Sequence, residues 1–154
     1  LIGVNAASST IDSRLGVGNA TPSEMLDVTG NALISGNLGI GTTSPTTTLD
    51  VEGTVSYKET TLSSNSDDFD VSDATVVKID TSGGTILLGG FSGGVAGQII
   101  HLAKTASSNS IRIENNESTG TQKIFTSSGS DKTISGYGGL SMYCDGTSWY
   151  TLDS

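Results

Sequence analysis

Leu15-Gly16-Val17-Gly18-Asn19-Ala20-Thr21-Pro22 reappears 23 residues later as Leu38-Gly39-Ile40-Gly41-Thr42-Thr43-Ser44-Pro45. At the same offset Leu26-Asp27-Val28-Thr29-Gly30 becomes Leu49-Asp50-Val51-Glu52-Gly53. Eight of the 16 aligned positions are identical, and Ile11 aligns with Ile34 as the remnant of an earlier unit. A fixed period in this range marks a repeat architecture. Within each unit, large apolar residues alternate with glycines, so that the strand can bend or another backbone can come close. The proline fixes φ and removes a ladder donor, which marks a turn or an edge. Leu-Asp-Val then makes a second short strand, closed by glycine, and Ser35-Gly36-Asn37 turns the chain into the next unit.

Each unit offers few sizeable apolar side chains, and solenoids generally need at least ~3 stacked repeats to build a core. Fixing each residue removes roughly 1–2 kcal/mol of backbone entropy, which so little burial cannot offset. The missing contacts are expected from other chains or from further repeats. Parallel copies wound about a common axis would turn Leu15, Val17, Leu26, Val28, Leu38, Ile40, Leu49 and Val51 inward and the Thr, Ser and Asp positions outward.

This pattern, L-G-(I/V)-G-T-x-x-P-x-x-x-L-D-V-x-G followed by a G-N-L-G-I-G restart, resembles repeats of bacteriophage tail fibres and related viral adhesins. The resemblance covers about residues 11–55 and implies a slender, trimeric, intertwined β-stalk. The nucleotide-binding alternative is weaker, because Gly16-Val17-Gly18 and Gly39-Ile40-Gly41 lack the third glycine and the following helix of that signature.

The chain has 154 residues, of which 34% are apolar and 15% charged. Disordered chains are usually rich in charge and poor in β-branched residues, the reverse of this one. Two prolines and no glycine at every third position exclude collagen. No run approaches 18 apolar residues, so no membrane-spanning segment is expected. A net charge of −9 with seven Lys and Arg argues against a nucleic-acid partner. The chain opens at Leu1 with neither Met nor a signal peptide, so a fragment of a longer protein is expected.

No window carries the helical i, i+3, i+4, i+7 apolar pattern, whereas short Val/Ile/Thr/Tyr runs lie between Gly, Asn, Asp and Ser clusters. The fold class is therefore all-β, with a repeat-bearing stalk over 1–56 and a β-rich head over 57–154. Residues 60–73 read as a solvated acidic connector. Strands are expected at 75–79, 85–88, 98–103, 110–114, 123–126, 132–134, 140–144 and 148–152, a spacing that suggests a β-sandwich or jelly roll. Asp145-Gly146 is a hairpin signal. Phe91, in the glycine-rich loop 89–94, reads as a plug. Gly97-Gln98-Ile99-Ile100 and Tyr143-Cys144-Asp145-Gly146-Thr147-Ser148-Trp149-Tyr150 resemble terminal head domains of tail fibres, which implies a compact tip making receptor contacts. No self-cleaving chaperone domain with its catalytic Ser is recognisable.

Chemistry-bearing residues are sparse. His101 is the single histidine, and without a partner it supports neither a zinc site nor a catalytic triad. Cys144 alternates with Leu140 and Met142 as a buried thiol would. Asp68, Asp70 and Ser72 fit the start of a calcium loop, but Asp73 and Ile79 stand where its glycine and glutamate belong. No metal and no cofactor is expected. With five Glu in the chain, paired carboxylates for glycan cleavage are thinly supplied. Among the late aromatics Tyr137, Tyr143, Trp149 and Tyr150, Trp149 suits a core anchor and Tyr137 suits exposure. Asn115 and Asn116, in the loop Asn115-Asn116-Glu117-Ser118, could offer amides to hydroxyls. The resulting expectation is a homotrimeric, extracellular virion fibre that attaches to a host cell-surface glycan or outer-membrane protein without entering the membrane. A glycan-degrading spike and a purely structural spike are the alternatives.

Overall fold

The computed structural model describes residues 14–117 and 119–152, so Ile11 and Ser118 lie outside the described residues. The described chain is all-β, with fifteen strands and no helix. It divides into two compact units, one ending at Val55 and the other beginning at Ser56.

The first unit holds the repeat. Strands β1 (Leu15–Val17) and β2 (Leu26–Val28) pair in parallel, and β3 (Leu38–Ile40) and β4 (Leu49–Val51) pair the same way. Equivalent bonds close both ladders. Leu15 N–H donates to Met25 O and Leu38 N–H to Thr48 O, while Thr29 and Glu52 donate back to Val17 and Ile40. The connecting loops fold onto the aspartate of the second strand. Asp27 Oδ2 accepts from the Ser23 amide and from Asn19 Nδ2, and Asp50 Oδ2 accepts from the Thr46 amide at 2.8 Å. The glycines follow from this geometry. A Cβ on Gly39 would lie 2.8 Å from Thr42 O, and one on Gly16 would collide with Asn19 O. Gly18 and Gly41 adopt left-handed φ of 75° and 79° against the carbonyls of Thr29 and Glu52.

The second unit contains two sheets around one core. The larger follows the order β5 (Glu59–Leu62), β7 (Val76–Ile79), β10 (Ile99–Lys104), β14 (Gly138–Cys144), β15 (Ser148–Thr151), β12 (Gln122–Phe125), β9 (Gly90–Ser92), β6 (Phe69–Asp70). The smaller is β13 (Lys132–Ser135), β11 (Ser110–Ile113), β8 (Ile86–Leu88). Alternate side chains from both, among them Ile100, Met142, Trp149, Ile111 and Leu88, form a single buried cluster. Trp149 and Phe91 meet in it at 5.2 Å between ring centroids.

Three strands lie where the sequence suggested connector or loop. β5 and β6 fall within or beside the acidic stretch, and β9 runs through the glycine-rich segment around Phe91. Their inward side chains are few, so periodicity does not betray them, but edge and parallel pairings supply their backbone bonds. The pairing also departs from the jelly-roll expectation. Five of the nine ladders in this unit are parallel, whereas a jelly roll is antiparallel. Periodicity locates strands without naming their partners.

Candidate functional site

Four adjacent strands of the larger sheet alternate strictly. Ile100, Met142, Trp149 and Ile124 point into the core, which turns Ile99, Tyr143, Tyr150 and Phe125 to the opposite face. Register then aligns them. Ile99 stands opposite Tyr143, Tyr143 opposite Tyr150, and Tyr150 opposite Phe125. Strands lie about 4.8 Å apart, so these four side chains form a row about 14 Å long across the sheet. The rings of Phe125 and Tyr150 stack nearly parallel, with centroids 5.5 Å apart and an 18° interplanar angle. Ile99, Tyr143 and Tyr150 keep 39%, 37% and 38% of their surface exposed, so each side chain remains partly open to solvent.

Polar groups border the row on both sides. On one side His101 Nδ1 lies 2.9 Å from Ser141 Oγ, in the next cross-strand row. On the other, Tyr150 Oη donates to Asp145 Oδ2 at 3.0 Å, and Lys123 Nζ donates to Asn116 Oδ1 at 3.2 Å. Asp145 sits in the β14–β15 hairpin, where the Thr147 amide and hydroxyl and the Ser148 amide donate to Oδ1. These donors, the Thr147 amide foremost, hold its carboxyl down at about 2. The bond to Asp145 pushes the Tyr150 phenol up, keeping it a donor.

A buried amide fixes the hairpin behind the row. Gln122 Oε1 accepts from Trp149 Nε1 at 3.1 Å and from the Gly94 amide at 2.9 Å, while Nε2 donates to the carbonyls of Gly94 and Gly146. Trp149 is thus anchored inside while its neighbour Tyr150 faces out.

The residues singled out in the sequence are dispersed. Asn116 reaches the border of the row through Lys123. Asn115 has its amide engaged: Oδ1 accepts from the Thr126 amide, and Nδ2 donates to Gly129 O. Tyr137, 73% exposed, precedes β14 and lies about 20 Å along the strand from Tyr143. His101 is exposed on the outer face, and Cys144 is buried, its thiol pushed up by desolvation. The acidic residues are used locally. Asp68 accepts from the Thr121 amide and hydroxyl, Asp70 from the Ser72 amide, and Asp73 pairs with Lys58. Among the described residues no three His, Cys, Asp or Glu side chains gather as a metal ion requires.

The eight repeat residues occupy two equivalent patches. In-register pairing sets Leu15 beside Leu26 and Val17 beside Val28, then Leu38 beside Leu49 and Ile40 beside Val51. Residues paired this way share a face, so each ladder carries four apolar side chains on one side. Comparison with known protein families, with curated proteins and with solved structures finds no match to this chain.

Proposed function

We propose that the chain is part of a trimeric fibrous adhesin of the tail-fibre kind, in which a repeat stalk projects a two-sheet, sandwich-like head that attaches a virion to its host's surface. The observation that carries this reading is the pair of uncovered apolar faces. Leu26 and Leu49 are 62% and 59% exposed, and each ladder has two strands only. A two-stranded ladder is marginal in water, and covering one such side chain contributes about 1.5–3 kcal/mol. Three parallel copies around an axis bring these faces together, and no copy needs a further strand of its own.

The head in turn gains from the symmetry. Three identical sites on one fibre bind a repetitive surface with an avidity that single weak contacts cannot reach. The test is light scattering of the purified chain combined with adsorption to susceptible bacteria. A parallel trimer that adsorbs without shortening the surface polysaccharide is expected. A folded monomer at micromolar concentration overturns the stalk reading, and shortened polysaccharide overturns the adhesin reading in favour of an enzyme.

A further inference from the structure

We infer that the row Ile99–Tyr143–Tyr150–Phe125 is the platform on which the head binds an uncharged, hydroxyl-rich oligosaccharide. This deepens the adhesin reading and rests on it. Register puts an apolar strip about 14 Å long on the open face of the sheet. A sugar ring presents an apolar C–H face and a rim of hydroxyls, and an exposed phenol ring beside hydrogen-bonding groups complements both.

The borders of the strip supply that second half. His101 with Ser141 lies along one side, and Asp145, Lys123 and Asn116 along the other, so that donor and acceptor groups flank the strip on both sides. Charge selects among glycans. The chain carries −9 overall; among the described residues the Asp145 carboxylate and the Lys123 ammonium border the strip with opposite sign, and Glu59 adds a further negative group in the cross-strand row of His101. A polyanionic glycan meets net repulsion from the chain and no cationic cluster in the strip, whereas a neutral one meets neither obstacle. The rings are also held ready. Tyr150 is tethered to Asp145 and stacked on Phe125, so little side-chain freedom is lost on binding.

The test uses the whole chain on an array of neutral and acidic bacterial oligosaccharides. The native chain should bind neutral members. Tyr143→Ala and Tyr150→Ala should each weaken that binding about tenfold. Tyr150→Phe, which keeps the ring and loses only the Asp145 bond, should stay within about threefold, and Tyr137→Ala should match the native chain. Fluorescence of Trp149 verifies that each variant is folded. Binding to acidic members only, binding unchanged in a folded Tyr143→Ala/Tyr150→Ala double variant, or no binding to any member overturns the inference. So does a change of oligomeric state in that variant, which would make the strip a contact between copies. Cell adsorption separates the two readings: if it persists in the folded double variant, the platform fails while the adhesin stands, and if the native chain does not adsorb, the adhesin fails.

Discussion

Gln122 takes both ends of its amide into the core, and its partners come from the segment before β10 and from the β14–β15 hairpin. Gln122→Leu strands the Trp149 indole N–H and the Gly94 amide in apolar surroundings. Each buried polar group left unpaired costs about 1–3 kcal/mol, so a loss of about 2–5 kcal/mol is expected in urea unfolding followed by Trp149 fluorescence. Unchanged stability would show that water reaches both donors. Asp145 makes the complementary case at the surface. Its carboxyl stands at about 2 when folded, against an ordinary value of 3.8. A carboxyl lowered by folding contributes stability above its ordinary value and loses it as pH falls through the folded one. Asp70 and Asp80 are lowered too, chiefly by the amides of Ser72 and Ser82. The melting temperature of the head should therefore drop between pH 3.8 and about 2, and Asp145→Asn should flatten that slope. An equal slope in the variant would assign the acid sensitivity elsewhere. At this scale the sequence revealed what alternation can reveal: Trp149 as the inner anchor and Cys144 as a buried thiol. The Gln122 clamp was not legible, because its partners Gly94 and Trp149 lie 28 and 27 residues away in the chain.

Among the elements, the repeat is the part that sequence determines most directly, since both of its ladders and both of its loops are local. Gly39 must pass Thr42 O with no Cβ, and Gly39→Ala forces the loop outward. Such overpacking typically costs 1–3 kcal/mol, about as much as a marginal ladder can lose, so thermal melting should come earlier. Gly53→Ala, which meets nothing within 4 Å, should melt unchanged. Equal melting of the two variants would mean that the loop relaxes freely. The facing of the ladders is tested separately. Leu49→Asp or Leu26→Asp places three carboxylates in the proposed apolar seam, where an unpaired charge costs several kcal/mol and its like-charged copies add repulsion. The proposed trimer should dissociate on a sizing column, while Thr47→Asp, at an exposed position, should leave it intact. The same effect from both would assign the wrong face inward. In the head, all eight strands expected from period-two patterning are present to within a few residues. β5, β6 and β9 escaped notice because Glu59–Leu62 buries only Leu62 fully, β6 has two residues, and β9 is flanked by glycines. The aromatic row escaped for a different reason. Residues 99, 125, 143 and 150 meet only through cross-strand register, which lies in pairings and not in any single stretch.

For the whole molecule, the acidic balance constrains how the proposed attachment would work. Bacterial outer surfaces are mostly anionic, so a chain of net charge −9 is not drawn to them by long-range attraction. Hydrogen bonds and ring stacking act at contact and are little screened, whereas Coulombic attraction weakens as the Debye length shrinks from ~10 Å at 0.1 M salt to ~3 Å at 1 M. Adsorption of the purified chain should change little between those concentrations, and a collapse at high salt would contradict the neutral-contact account. One property of the repeat bears on the length of the proposed fibre. Each unit answers its own backbone donors and closes its own loop on its own aspartate, as Leu15/Met25 with Asp27 and Leu38/Thr48 with Asp50 do. Nothing in that bonding depends on which unit comes before or after. In the proposed fibre, gaining or losing a unit would therefore change the length of the shaft in whole steps of 23 residues. Under that proposal reach becomes a matter of counting repeats, independent of the sequence of the head.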